Sequence, residues 1–245
     1  LYPNIEELLK DSCEKNKEYI SISTNEQEVS FATLYKDVSL LRGYFTSLGF
    51  KKGDNVGLIY RNEYDFVRSF LALATLGICS AIIPVALPEQ ALFGISKKFQ
   101  LKGVVYTMDI AEKIEKLKAM NQDLIYVSSL DLSNYKKEEA PAITLTGDEP
   151  CCIIFTGGTT GSPKGAMLSH RNLCRGALNG CYVHQKTMHL KYMAIIPFVH
   201  IFGLVRNLLS CIMTGSNLYL VKEIPQFVKE IRKFKPQIMV LVPAL

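Results

Sequence analysis

Apolar residues recur along this chain with the spacings of buried helices and strands. Leu34, Val38, Leu41, Phe45 and Leu48 fall three or four residues apart, which places them on one face of a helix. Gly49 follows and is expected to end that helix. After the turn "KKGD" the short apolar run "NVGLIY" predicts a strand. Asn62 is a good helix N-cap type, so a helix carrying Phe66, Phe70 and Leu73 is expected after it, ending at Gly77 before a strand in "SAIIPV". The same grammar continues through "ALFGISKKF", "GVVY", "IAEKIEKLKAM" and "LIYVS". Alternating strands and helices predict an α/β fold of mostly parallel sheets covered by helices.

The segment "SNYKKEEAPAITLTGDEP", residues 133–150, replaces periodicity with charge, Pro and Gly. It divides the chain into a first α/β subdomain, 1–145, and the start of a second, 146–245. In the second part "CCIIF", "YMAIIP", "NLYLV" and "QIMVLV" read as strands, and a helix is expected from about Asn172. The run "FLALATLGICSAIIPVAL", Phe70 to Leu87, approaches the length of a membrane span, but Gly77, Ser80 and Pro84 break it into helix, turn and strand. A transmembrane segment is therefore not expected, while peripheral contact with a membrane stays compatible with the chain.

Composition narrows the function. The chain has 245 residues, 48% hydrophobic and 21% charged, enough for a sizeable core. A formal net charge of +5 is spread among acids rather than gathered into a stripe, which argues against a nucleic-acid partner. The opening "LYPNIEELLKDSCEKNKEYI" reads as an amphipathic helix, not a secretory leader. Of the seven cysteines, Cys79, Cys151 and Cys152 sit in apolar runs, as reduced thiols of a cytoplasmic protein would. Cys174, Cys181, His184 and His189 share one stretch with zinc-like His spacing, but the Cys pair is too widely separated for a finger, so residues scattered on a helix are expected.

Candidate chemistry concentrates in "IIFTGGTTGSPKGAMLSHRNL", Ile153 to Leu173. Gly157, Gly158, Gly161 and Gly165 let a backbone approach an anion, the hydroxyls of Thr156, Thr159, Thr160 and Ser162 can donate to it, and Lys164 adds a charge. A strand before the loop and a helix after it would make a phosphate site at a helix N-terminus. The spacing is not that of a Walker A loop, since Lys164 is followed by Gly.

Here the chain resembles the adenylate-forming acyl-CoA synthetases. "FTGGTTGSPKG", Phe155 to Gly165, matches their signature phosphate loop throughout, and "AMLSHRN" continues as in the family. The stretch from "FATLYKDVSLL" to "SAIIPV" is similar to the family's N-terminal elements, and "IPFVHIFGL" resembles its substrate-wall motif. The resemblance implies attack of a carboxylate on the α-phosphate of ATP, giving an acyl-adenylate and pyrophosphate, then transfer of the acyl group to coenzyme A. It implies that Thr156, Gly157, Gly158, Thr159, Thr160, Gly161 and Lys164 bind ATP, with Lys164 and Thr160 as the catalytic pair, and that Mg2+ shares in neutralising the phosphates. His200 would stand beside the acyl pocket and Phe202 would line its wall. "PFVHIFG" is similar to fatty-acyl and aryl-CoA ligases, and the Thr-Gly-Gly variant points to fatty acids.

The family's adenine-side Tyr-Gly-x-Thr-Glu motif, ribose-binding Asp, hinge and C-terminal lysine have no counterpart in the sequence. A partial chain, lacking the rest of its own C-terminal part and inactive alone, is the expectation. Two alternatives stay open: an aryl-CoA ligase portion, or a nucleotide- or phosphate-binding module without ligase activity. A zinc-stabilised interaction domain is the third reading.

Overall fold

The computed structural model describes residues 1–136, 138–156, 164–183 and 188–241. Two helix-covered sheets form the α/β frame. One has six strands in the order β6-β5-β3-β4-β7-β8: β3 (Asn55–Ile59), β4 (Cys79–Ile82), β5 (Leu101–Tyr106), β6 (Ile125–Ser128), β7 (Pro150–Thr156) and β8 (Lys164–Ser169). Its neighbours are parallel except β7 and β8. The other has the order β11-β9-β10-β1-β2, from β1 (Ile20–Ser23), β2 (Glu28–Ser30), β9 (Lys191–Ala194), β10 (Asn217–Leu220) and β11 (Ile238–Met239). Only β1 and β2 are antiparallel there.

The expected division into 1–145 and 146–245 does not follow the sheets. β1 and β2 complete the sheet of β9, β10 and β11, while β7 and β8 complete the sheet begun by β3 to β6. Parallel neighbours need long crossovers, and this chain uses them to weave one sheet into the other. The charged stretch after residue 133 marks a surface connection, which Arg42 clamps. Its Nε donates to Ala140 O at 2.8 Å and its Nη1 to Thr75 Oγ1 at 3.3 Å, with Glu6 at 3.6 Å.

The predicted helices form where apolar spacing demanded them. α1 (Ile5–Lys15) buries Ile5, Leu8 and Leu9, and its N-cap Asn4 accepts from Glu7 N. α2 (Phe31–Ser47) buries Leu34, Val38, Leu41 and Phe45, and Gly49 beyond it has φ +88, the left-handed region where a Cβ costs energy. α3 (Tyr64–Thr75) is buried nearly all round, packed against α1 and α2. α4 (Glu89–Lys98) and α5 (Ala111–Met120) cover the opposite face of the six-stranded sheet through Leu92, Ile95, Ile114 and Leu117. The apolar run from Phe70 is divided as predicted, by Gly77 at φ +65 between α3 and β4. Among the described residues no helix is long and apolar enough to cross a membrane.

Asn62 departs from expectation. The residue before α3 is Glu63, with no side-chain cap bond. The buried Asn62 amide instead spans the two sheets: Nδ2 donates to Ala194 O at 3.3 Å and Ile196 O at 3.2 Å, and Oδ1 accepts from Phe198 N at 3.0 Å. Asn62→Ala should therefore cost about 2–4 kcal/mol, because it strands buried backbone groups on the far side. A fall of that size in the unfolding free energy from urea titration checks this; a change within error would contradict the bridging role.

His170 opens α7 (His170–Val183) fully buried, with Nδ1 accepting from Ile5 N at 3.4 Å and Nε2 without a hydrogen-bond partner. Burial pushes its pKa down from 6.5 to about 4, against the attraction of Glu149 and with the repulsion of Lys52. The unfolded chain thus takes up a proton before the folded one does. Stability from this residue should fall as pH drops from 6.5 towards 4, and His170→Gln should flatten that part of a melting-temperature profile. An unchanged profile would rule it out.

Candidate active site

The glycine loop joins the strands of a hairpin. β7 and β8 pair antiparallel, with Phe155 opposite Gly165 and Thr156 opposite Lys164. Gly157, Gly158, Thr159, Thr160 and Gly161 lie outside the described residues. Thr156 and Lys164 thus stand face to face at the base of the loop, both exposed.

The helix expected from about Asn172 is present and begins at His170, but β8 intervenes between it and the loop, which was not expected. The first N–H groups of α7 are occupied: His170 N donates to Glu149 O at 3.3 Å and Arg171 N to Gly147 O at 2.8 Å. An anion held by this loop would therefore rely on its backbone, its hydroxyls and Lys164, without a helix N-terminus.

Packing sets the hairpin register. A Cβ on Gly165 would stand 2.5 Å from Ile153 Cγ2 and 3.0 Å from the Phe99 ring. That ring meets Phe155 edge-on, with centroids 5.2 Å apart and planes at 84°. Phe99 O in turn accepts from Asn55 Nδ2 at 2.8 Å. The acidic lead-in to β7 is spent on structure. Burial works against the Glu149 carboxylate, but donation from Thr146 N, Gly147 N and Lys52 Nζ holds it well below the usual carboxylate range. Asp148 pairs with Arg171 at 2.8 Å.

The second predicted cluster flanks a groove. His200 is exposed and precedes α8 (Ile201–Gly203), which runs on through a π-helical segment (Leu204–Leu209) into α9 (Ser210–Met213). π-segments inside helices are uncommon and often accompany functional sites. Phe202, 40% exposed, lines a groove of about 310 Å3 with Leu168, Asn172, Leu173, Gly176 and Val205. Successive side chains alternate across a strand, so Lys164 lies on the same face of β8 as the groove-lining Leu168. Lys164 and the groove that Phe202 lines thus share one face of β8, with His200 at the helix start and not among the groove's lining residues. Sequence reading missed Leu168, Asn172, Val205 and Arg206. The signals were there: "AMLSHRN" continues the loop motif, and Arg206 falls four residues after Phe202.

A larger cleft, about 620 Å3, lies at the C-terminal ends of strands from both sheets. Within it Arg61 pairs with Asp109 at 3.2 Å, and Lys222 with Asp109 at 3.0 Å and Glu63 at 3.4 Å. Of the described candidate residues, Thr156, Lys164, His200 and Phe202 do not line it. The Cys/His stretch is dispersed: Cys174 is buried, and His189 Nε2 is 2.8 Å from Asn16 Oδ1 with its ring stacked on Tyr19 at 3.8 Å. His184 lies outside the described residues. Among the described residues no group of three or more His, Cys, Asp or Glu side chains could hold a metal ion.

Comparison with known proteins adds the family. Residues 9–245 match the AMP-binding enzyme family. The 4-coumarate–CoA ligase-like 6 of Arabidopsis thaliana is 29% identical over 230 residues, covering 84% of this chain and 40% of that protein. The mitochondrial medium-chain acyl-CoA ligase ACSF2 of Homo sapiens is 25% identical over 249 residues, with 85% and 40% covered. The chain therefore spans about 40% of the length of these curated relatives. The inhibitor-bound N-terminal domain of FACL13 from Mycobacterium tuberculosis superposes with a TM-score of 0.88 at 21% identity, over 98% of this chain and 63% of that one.

Gly165→Ala should open the hairpin base, costing about 1–3 kcal/mol by overpacking against Ile153 and Phe99. Loss of that size in denaturant unfolding supports the packing argument, and a neutral substitution would refute it.

Proposed function

The chain belongs to the AMP-binding enzyme family, and from that premise we propose that the protein activates a carboxylic acid with ATP and passes the acyl group to coenzyme A. The observation that carries this reading is the hairpin that sets Lys164 opposite Thr156, on the same face of one strand as a groove lined by Leu168 and Phe202. In this reading the loop, through residues that include Thr159 and Thr160, clamps the β- and γ-phosphates. Lys164 neutralises charge that grows as pyrophosphate departs, which is positioning and electrostatic stabilisation rather than covalent chemistry. In this reading His200, which directly precedes the groove-lining Ile201 and Phe202, is where the acid's carboxylate would meet the α-phosphate. Mg2+ would ride mainly on the nucleotide, since phosphates with few carboxylates are its usual ligands.

The acid class is read from the groove. Relatives named for a coumarate and for medium-chain acids both match, so the family does not select fatty acids. Apolar walls of Leu168, Leu173, Phe202 and Val205 suit an alkyl or aryl tail. Adenine and ribose would be held by parts of the protein outside this stretch, so a phosphate-binding module without ligase activity remains the second reading, favoured only by the 40% share of the relatives that is matched.

In the full-length protein, Lys164→Ala should lower adenylation roughly ten- to a thousand-fold. ATP–pyrophosphate exchange with an accepted acid measures it, and exchange at the wild-type rate would remove Lys164 from the site. His200→Ala should change acid turnover or preference more than the ATP dependence, because the phosphates are held elsewhere. A shift confined to the ATP dependence would misplace His200.

A further inference from the structure

The groove beside β8 has two chemically different ends. α7 and the helical segment after His200 run alongside each other in the same direction: a Cβ on Gly176 would stand 3.0 Å from Val205 Cγ1, and one on Gly180 would stand 2.5 Å from Arg206 Nη1. Ile201 and Phe202 therefore lie with Asn172 and Leu173 near β8, while Arg206 lies with Asn179 and Gly180 at the distal end. Among the described residues, Arg206 is the one charged residue lining the groove. Its guanidinium carbon lies 5.8 Å from the Phe202 ring centroid, and the absence of a side chain at Gly180 gives it room.

An acid whose carboxylate is activated beside His200 would send its tail along these walls towards Arg206. Arg206 stands six positions after His200 in the sequence, roughly 9 Å at the helical rise. A plain alkyl tail of that length would press against the guanidinium and strip its water without repaying it. A second carboxylate at the same distance would instead meet a planar array of N–H donors. A guanidinium carries five such donors, so contacts within the protein and a ligand carboxylate can be held together.

We propose that Arg206 is a specificity-determining residue that selects acids bearing a second carboxylate at the far end of a medium-length alkyl or aryl tail. This rests on the acid-activating reading above and deepens it. The test compares suberate with octanoate, acids of equal chain length, in the full-length protein. Both pyrophosphate exchange and equilibrium binding by calorimetry are measured, for wild type, Arg206→Leu and Arg206→Lys. Wild type should favour suberate, and Arg206→Leu should lower kcat/KM and affinity for suberate roughly ten- to a hundred-fold. Octanoate should be used as well as before or better, the KM for ATP should hold, and Arg206→Lys should restore part of the suberate preference. Wild-type preference for octanoate would overturn the proposal without any variant, as would an equal loss for both acids in Arg206→Leu. If neither acid supports exchange, the activation reading fails. Arg206-dependent suberate binding would then still uphold the selectivity, and binding that ignores the second carboxylate would overturn it.

Discussion

The placement of the candidate site depends on one buried amide. Asn62 leaves the end of β3 in the six-stranded sheet and closes hydrogen bonds on Ala194, Ile196 and Phe198, the stretch leaving β9 in the other sheet. A buried amide left unpaired is costly, so the two sheets can dock only where all three bonds form together. That docking fixes the backbone immediately ahead of His200 and Phe202. From there the helical segment 201–213 is laid against α7, and the groove follows. Lys222 bonding to Glu63 and Asp109 repeats the tie nearer the surface, where solvent screens it and its contribution is smaller.

Much of the frame was legible because it is local. Helices such as α2 and α5 and strands such as β3 and β5 follow from apolar spacing and glycine punctuation alone. The pairing of the sheets was not legible, since β1 finds β10 nearly two hundred residues later and no local pattern encodes that. Asn62 was misread for an instructive reason. An Asn before a helix satisfies the preference for N-caps, but that preference is worth about 1 kcal/mol, and a buried site needing one donor and one acceptor side by side outbids it.

The candidate site was legible in its residues and not in its shape. The glycine and hydroxyl pattern marks an anion loop, and an ordinary strand–loop–helix frame supplied the rest of the expectation. β8 escaped notice because "KGAMLS" lacks strict alternation: as an edge strand it is mostly exposed, and its apolar Met167 points outward, 55% exposed. Gly165 reads as part of the loop in the sequence but serves the strand, giving Ile153 and Phe99 space to close over the backbone. Of the two positive features expected beside the loop, Lys164 and a helix end, the strand that carries Lys164 takes the helix end's place.

That replacement has a mechanical consequence under the proposed function. A helix N-terminus would offer an anion site whose position is independent of the acyl groove. A strand does not allow this. Lys164 and Leu168 sit four residues apart on one face of β8, about 13 Å along the strand at its usual rise. One end of a single stiff element thus carries the charge that meets the phosphates, and the other end forms a wall of the groove that receives the tail. The ring of Phe99 and the register with β7 hold this element against sliding, since a slip of one residue would turn Lys164 and Leu168 to the opposite face together. Phosphate and acyl subsites are therefore set by the same pleat, and the gap between them, where the carboxylate would meet the α-phosphate, is as fixed as the strand itself.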